Sequence, residues 1–106
     1  MKPYYEDSKS GIVIYCGDAR EIVPSLLAVD TVLTDPVWPN NSVKEFADID
    51  SEQLLGDVLN LVDAERLVIH LGCDSDPRVL RAVPSRFEFH RVCWLRFARP
   101  SYKGRL

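Results

Sequence analysis

Short apolar runs rich in β-branched residues alternate with helical sequence patterns along most of the chain. Residues 11–16 predict a strand buried on both faces, because the run is apolar throughout, and residues 31–34 predict a second buried strand. Residues 66–71 predict a third strand, and the aromatic and β-branched residues of 87–97 predict a last one at an edge. Strands that alternate with helices are typical of an α/β sheet, so we expect one α/β domain with about four strands.

Three helices are predicted between these strands. Asp18 is a suitable N-cap for a short helix, with Glu21 as its capping-box partner and Pro24 limiting its length. A longer helix is expected over residues 50–63, because its leucines and valines follow the i, i+3, i+4, i+7 spacing of one buried stripe. The Asp-Pro pair that opens residues 76–83 predicts a short third helix.

The chain has 106 residues, which corresponds to a single domain, residues 1–106. Hydrophobic residues make up 46% and charged residues 27%, as in a folded rather than a disordered protein. No apolar run reaches the roughly 20 residues that span a bilayer, and the N-terminal sequence lacks the apolar part of a secretion signal. The cysteines, Cys16, Cys73 and Cys93, are odd in number and far apart. These features predict a protein of the reducing cytoplasm with no membrane partner.

Charge is distributed unevenly along the chain. Residues 1–53 carry 4 basic and 10 acidic side chains, whereas residues 54–106 carry 9 basic and 6 acidic ones. Residues 78–106 hold eight of those basic side chains and one acidic one. Such asymmetry fits a face that binds a polyanion, and it fits equally a solvated arginine-rich face.

Aromatic and basic side chains are interleaved near the end of the chain. This composition suits contacts with phosphates and stacking on bases, which makes nucleic-acid binding one interpretation. The other is an edge strand whose arginines face water and prevent pairing with further strands. The candidate nucleic-acid-binding residues are Arg96, Arg99, Lys103 and Arg105.

The most informative segment, residues 29–40, joins a predicted strand to a loop that continues to residue 48. It places a carboxylate, a backbone held rigid by proline and an indole ring at the carboxyl end of a strand, the edge where α/β sheets bind ligands. Asp35 and the Pro36 carbonyl can accept two hydrogen bonds from an amine, while Trp38 stacks on the ring that bears it. The segment therefore predicts a site for a planar group with an exocyclic amine.

This segment resembles the catalytic motif of the amino-group DNA methyltransferases, Asp/Asn/Ser-Pro-Pro-aromatic, which stands here as Asp-Pro-Val-Trp at residues 35–38. The preceding sequence is similar as well. An N-terminal Lys-Pro-Tyr-Tyr is followed by a strand that ends in Gly17 and Asp18, and then by a helix. The similarity covers residues 1–40, and beyond them only the succession of strands and helices agrees.

The resemblance implies a Rossmann-like, three-layer fold of methyltransferase type and methyl transfer from S-adenosylmethionine to an exocyclic amine of a DNA base. A base rotated out of the duplex would place its amine on Asp35 and the Pro36 carbonyl, and its ring on Trp38. Gly17 and Asp18 would contact the cofactor, and no metal would be required. Orientation and electrostatics would then supply the rate.

The sequence departs from the family's pattern in two places. Val37 replaces the second proline and adds a backbone donor. No Phe-x-Gly-x-Gly segment for the methionine end of the cofactor occurs, because the glycines are isolated from one another: Gly11, Gly17, Gly56, Gly72 and Gly104. We therefore expect a shortened or incomplete domain that a second chain or another copy completes. The family also has two strands between those at 11–16 and 31–34, so these two either pair directly or leave backbone groups unpaired.

Other interpretations stay open at this point. A non-catalytic remnant or nucleic-acid-binding module would keep the motif without turnover, and an enzyme acting on RNA or a small molecule would fit the acidic first half. Cys73, Asp74 and Asp76 have no histidine at a suitable spacing, which favours a turn and a helix cap over a metal site. His70 lies in an apolar strand and is expected to be structural.

Overall fold

Four strands form two separate two-stranded sheets in the computed structural model, which describes residues 1–96. Strand β1 (Tyr5–Asp7) pairs antiparallel with β2 (Ile12–Ile14), and β3 (Val29–Thr34) pairs parallel with β4 (Ala64–Ile69). The number of strands agrees with the expectation, but the single sheet is wrong. The protein is a small mixed α/β fold in which the first two strands pair only with each other.

The β1–β2 hairpin was not expected from the sequence. Gly11 occupies its turn with φ of +72°, a backbone conformation that favours glycine, and its N–H donates to the Asp7 carbonyl at 2.9 Å. The Asp7 carboxylate accepts hydrogen bonds from the Lys9 N–H and the Ser10 hydroxyl within the same turn. All three residues of β2 are exposed, so the prediction of a strand buried on both faces is wrong for residues 11–16.

The two α-helices begin where the sequence predicts. Helix α1 (Ala19–Ile22) starts after Asp18 and continues as a 3₁₀ helix over Val23–Ser25, with a proline in its first turn. Helix α2 (Ser51–Leu61) starts after Asp50, whose carboxylate accepts a hydrogen bond from the Gln53 N–H at 3.0 Å. The expected capping-box role of Glu21 is replaced by Arg20, which binds the Asp18 carboxylate through its backbone and its side chain.

Helix α2 connects β3 to β4 and covers one face of the parallel pair. Its leucines at positions 55 and 59 are buried together with Val79, which lies on a 3₁₀ helix (Pro77–Ala82). This small cluster forms the core, because apolar side chains of the β4 region and of the segment after residue 80 pack against it: Leu67, Ile69, Leu71, Ala82 and Val83.

The opposite face of the parallel pair is open. Leu33 on β3 is 73% exposed, and its register partner Val68 on β4 is 50% exposed. Both α1 and the 3₁₀ helix Pro77–Ala82 contact α2, and residues 1–96 place no helix over the open face. The described part of the chain therefore has two layers, and a third layer is not formed within it.

One long edge of β3 is also unpaired among residues 1–96. The His70 N–H donates to the Thr34 carbonyl, so by the alternation of a strand the backbone groups of Val32 and Thr34 face β4, and those of Thr31 and Leu33 face away from it. Because β2 pairs with β1 and not with β3, the second of the two expected outcomes holds for the described residues: the strands do not pair directly, and backbone groups on one edge of β3 have no strand partner there.

The segment after β4 differs most from the predictions. The short third helix is confirmed as a 3₁₀ helix over Pro77–Ala82, with Asp76 as the predicted N-cap. Residues 87–96 form no strand, so that prediction is wrong, and Phe97 lies outside the described residues. None of the helices in residues 1–96 has the length and apolarity needed to cross a membrane.

Candidate functional site

The motif residues follow β3 at the edge where the two parallel strands end. The His70 N–H, just after β4, donates to the Thr34 carbonyl at 2.8 Å and holds the two strand ends together. Asp35 is the next residue, and its Oδ2 lies 3.6 Å from His70 Nδ1. The side chains of Asp35 and His70 are 62% and 39% exposed. The carboxylate is therefore open to solvent and has one partially exposed imidazole as its neighbour.

The loop after Asp35 is fixed by a short network of backbone hydrogen bonds. The Trp38 carbonyl accepts two of them from Asn41, one from its N–H at 3.2 Å and one from its Nδ2 at 2.7 Å. The Asn41 side chain also accepts from the Val43 N–H at 3.0 Å. The Pro36 carbonyl accepts none of the hydrogen bonds found among residues 1–96, so it is available to a ligand.

The Trp38 ring is half-buried and packs on Gly72, which follows β4. A Cβ atom placed on Gly72 would lie 2.9 Å from Trp38 Cη2, closer than real Cβ atoms approach, and 3.2 Å from Cζ2, a tight contact. The indole N–H is buried, and no group among residues 1–96 accepts a hydrogen bond from it. The ring is thus held at one edge by the neighbouring loop.

Asn40 joins the two loops at the strand ends through both atoms of its side-chain amide. Its Nδ2 donates to the Asp74 carbonyl at 2.6 Å, and its Oδ1 accepts from the Asp76 N–H at 2.7 Å. The pair of bonds spans more than thirty positions of sequence and fixes the loop after β3 to the loop after β4. Sequence reasoning did not identify this residue.

The predicted cofactor residues lie at the start of α1. The Asp18 carboxylate accepts from the Arg20 N–H at 2.9 Å and pairs with the Arg20 guanidinium at 2.6 Å. These hydrogen bonds from Arg20 lower the pKa of Asp18 to about 2. A Cβ atom on Gly17 would make ordinary contact with Ile22, so space does not require a glycine there. Among residues 1–96, no hydrogen bond or ion pair connects Asp18 to the loop that holds Asp35 and Trp38.

The larger of two described cavities is an apolar groove of about 570 Å³ beside β3, lined by β3, α2 and the 3₁₀ helix Val23–Ser25. The second, of about 400 Å³, lies over the surface of α2 and is lined mostly by polar residues. Neither Asp35 nor Trp38 lines either of them. The motif residues therefore lie at the strand ends, outside both of these cavities.

Three of the basic side chains after residue 77 have structural partners. Arg78 pairs with Asp76 at 2.5 Å, and Arg81 pairs with Glu52 at 3.0 Å. Arg86 donates to two carbonyl oxygens at the end of α2, at 2.8 and 2.6 Å. Of the predicted nucleic-acid-binding residues, Arg96 is exposed. The others lie outside the described residues: Arg99, Lys103 and Arg105.

Cysteine and acidic residues after β4 form a turn. The Ser75 N–H donates to the Gly72 carbonyl at 3.1 Å, and Asp76 caps the following 3₁₀ helix. Within residues 1–96, no group of three histidine, cysteine or acidic side chains is placed to hold a metal ion. His70 directly follows the end of β4, and its backbone N–H donates to the Thr34 carbonyl.

Sequence reasoning missed Asn40 and Gly72, and it gave His70 no part in the site. His70 and Gly72 directly follow a predicted strand, at the same sheet edge as Asp35. Parallel strands end side by side, so the position of these residues just after β4 was the available signal.

Comparison with known proteins finds no matching family model, no similar curated protein and no similar solved structure.

Proposed function

We propose that this chain forms the base-binding part of an S-adenosylmethionine-dependent methyltransferase that acts on an exocyclic amine of a DNA base. The observation that carries the proposal is the position of the Asp-Pro-Val-Trp motif at the carboxyl end of β3, next to the parallel strand β4. A carboxylate, an available carbonyl and an indole ring follow one another there, as the resemblance to the amino-group methyltransferases requires.

In this proposal the target amine lies between Asp35 and the Pro36 carbonyl. Both groups accept hydrogen bonds from the amine and turn its lone pair toward the incoming methyl group. Trp38 binds the ring that carries the amine by stacking. S-adenosylmethionine, when bound, supplies a methyl group on a positively charged sulfur. The chain's own contribution is to hold the acceptor nitrogen in place.

The open edge of β3 supports a second part of the proposal. A parallel pair is normally buried on both faces and flanked by further strands, whereas within residues 1–96 β3 has an unpaired edge beside an apolar groove. We infer that a polypeptide segment outside these 106 residues adds a strand at this edge and brings the glycine-rich cofactor site. A second copy of this chain cannot bring it, because none of its glycines stands in a Gly-x-Gly pair.

Nucleoside binding tests the base-binding part directly. The protein is titrated with 2′-deoxyadenosine and 2′-deoxycytidine, and with 2′-deoxyinosine and thymidine, which lack the exocyclic amine, while tryptophan fluorescence is recorded. We expect 2′-deoxyadenosine and 2′-deoxycytidine to quench the tryptophan fluorescence, and the two nucleosides without the amine to leave it unchanged. Asp35→Ala should abolish the quenching, whereas Asp30→Ala, which removes an exposed carboxylate from the same region, should not.

Transfer of a labelled methyl group from S-adenosylmethionine to mixed DNA, with an RNA pool in parallel, separates the alternatives. Label that appears on DNA and depends on Asp35 establishes a DNA methyltransferase. Label that appears on RNA alone establishes RNA as the substrate. Amine-dependent binding without transfer, even when cell extract is added, establishes the non-catalytic module. The proposal is overturned if neither binding nor transfer occurs.

Calorimetry with S-adenosylmethionine tests the completing segment. We expect no saturable binding by the 106-residue chain, because its glycines offer no close backbone approach to the cofactor. Tight binding would show that these residues bind the cofactor without a second polypeptide, and would contradict the proposal of a completing strand.

A further inference from the structure

We propose that Asn40 and Gly72 are positioning residues for Trp38, and that the loop after β4 thereby sets where a stacked base can lie. The effect on a stacked base rests on the proposed function. The structural part does not: contacts from the loop after β4, far away in sequence, hold the indole ring of the motif in place.

Gly72 acts through the space it leaves. Its backbone does not have the positive φ that favours glycine, since Gly11 is the glycine with that conformation among residues 1–96. Its hydrogen atom instead lies against the Trp38 ring, where a Cβ atom would be only 2.9 Å from Cη2 and also 3.3 Å from Ser75 Oγ. Any larger residue must push the ring or the turn away.

Asn40 acts through its two hydrogen bonds. It stands two residues after Trp38, and both polar atoms of its amide are engaged by backbone groups of the loop after β4, at 2.6 and 2.7 Å. This arrangement needs a donor and an acceptor in one side chain, which asparagine provides and aspartate or alanine does not. Loss of either bond releases the segment that carries the ring.

The loop that holds the ring is itself attached to the core. The Asp76 N–H donates to Asn40 Oδ1, and the Asp76 side chain caps the 3₁₀ helix Pro77–Ala82. That helix carries Val79 into the cluster with Leu55 and Leu59. A fully buried anchor lies only three residues from the hydrogen bond to Asn40. The position of Trp38 is therefore tied to the packing of α2 and not only to its own loop.

Collisional quenching of Trp38 by acrylamide tests the inference in a Trp94→Phe background, which leaves one tryptophan. Trp94 is 88% exposed, so a Trp38→Phe protein supplies the reference for an exposed indole. In Gly72→Ala we expect the quenching constant to shift from the protected value toward that reference. Gly56→Ala is the matched control, because a Cβ there meets Ala82 at an ordinary 3.6 Å.

Asn40→Ala provides a second variant with no added bulk. It should shift the quenching constant in the same direction and weaken binding of 2′-deoxyadenosine about tenfold, because the ring is no longer held where the base stacks. Asn60→Ala is its control, since among residues 1–96 that amide bonds to the Gly56 carbonyl within α2 and to no other group. Both controls should match the parent protein in quenching and in binding.

The outcomes separate the two proposals. Quenching that stays at the parent value in both Gly72→Ala and Asn40→Ala overturns the positioning role. Quenching that rises while the parent protein binds no nucleoside supports the positioning role and counts against base binding as the function.

Discussion

Two helices begin with the same three-residue arrangement, Asp-x-Arg, in which the aspartate is the N-cap. In each case the carboxylate accepts a hydrogen bond from the arginine N–H and pairs with the guanidinium of the same arginine, Arg20 on Asp18 and Arg78 on Asp76. Side-chain and backbone hydrogen bonds from the arginine lower the pKa of both aspartates to about 2, from an ordinary value of 3.8. The arginine thus supplies both the N–H that the capping carboxylate accepts and the positive charge that neutralises this carboxylate.

Acid should weaken the fold through these carboxylates. Because their pKa is depressed in the folded state, they stabilise the protein fully above pH 3.8, and the contribution is lost as the pH falls through about 2. We expect Asp76→Asn to melt at a lower temperature than the parent protein at about pH 5, with the difference closing towards about pH 2.

Circular dichroism melts across this pH range make the comparison. Asp74→Asn, a change at an exposed neighbour in the same turn, is the control and should follow the parent protein throughout. A melting difference for Asp76→Asn that is the same at every pH would show that the ion pair with Arg78 does not contribute.

Local sequence patterns predicted the caps better than the site. Asp18 and Asp76 were identified as N-caps from short-range rules, because an N-cap depends on the few residues that follow it. The contacts of Asn40 and Gly72 join residues more than thirty positions apart, so no local pattern contains them. The motif could be found from the sequence, but the loop that supports it could not.

Among the elements, α2 contributes most to the buried core, through Leu55 and Leu59. Leu59 is 1% exposed and lies at the centre of the cluster between α2, β4 and the 3₁₀ helix Pro77–Ala82. We expect Leu59→Ala to lower the free energy of unfolding by about 2–5 kcal/mol, from lost burial and the cavity left behind. In a small domain this is a large part of the total stability.

Urea unfolding followed by circular dichroism measures this loss. Leu61→Ala, on the same helix but at a side chain that is 43% exposed, should cost less than about 1 kcal/mol. Equal losses for the two variants would mean that Leu59 is not buried as described.

Elements were predictable where their own residues decide the structure. The amphipathic stripe of α2 gave its position to within two residues, and β3 and β4 were found with small shifts. The strand expected over residues 87–97 fails in its described part because aromatic and β-branched content indicates a strand only where a neighbouring strand is present to pair with it. β2 does pair with β1, and it is exposed because neither strand of the hairpin joins the core cluster described for residues 1–96.

The whole molecule combines an acidic first half with a basic end. Three of the arginines after residue 77 are engaged in structural contacts. Contacts with phosphate would therefore come from the basic residues that follow these three. We expect the triple variant with alanine at Arg96, Arg99 and Arg105 to bind duplex DNA more weakly and to lower the slope of log affinity against log salt by about 3.

Fluorescence anisotropy at several salt concentrations measures the slope. The matched control removes the same amount of positive charge from the acidic half, with alanine at Lys2, Lys9 and Lys44, and should leave the slope unchanged. If both triple variants lower it alike, the effect is one of net charge and the end of the chain is not a specific nucleic-acid surface.

The bare side of β3 has a consequence for the life of this protein in a cell. Within residues 1–96, one edge of β3 has backbone amides without a strand partner and lies next to an apolar groove. Chaperones and proteases recognise such surfaces, and the same surfaces cause aggregation when chaperones are scarce. A companion polypeptide that covers this edge, as proposed above, would then determine how much of the protein survives. We expect its abundance to rise and fall with the supply of that companion, and surplus copies to be cleared rather than stored.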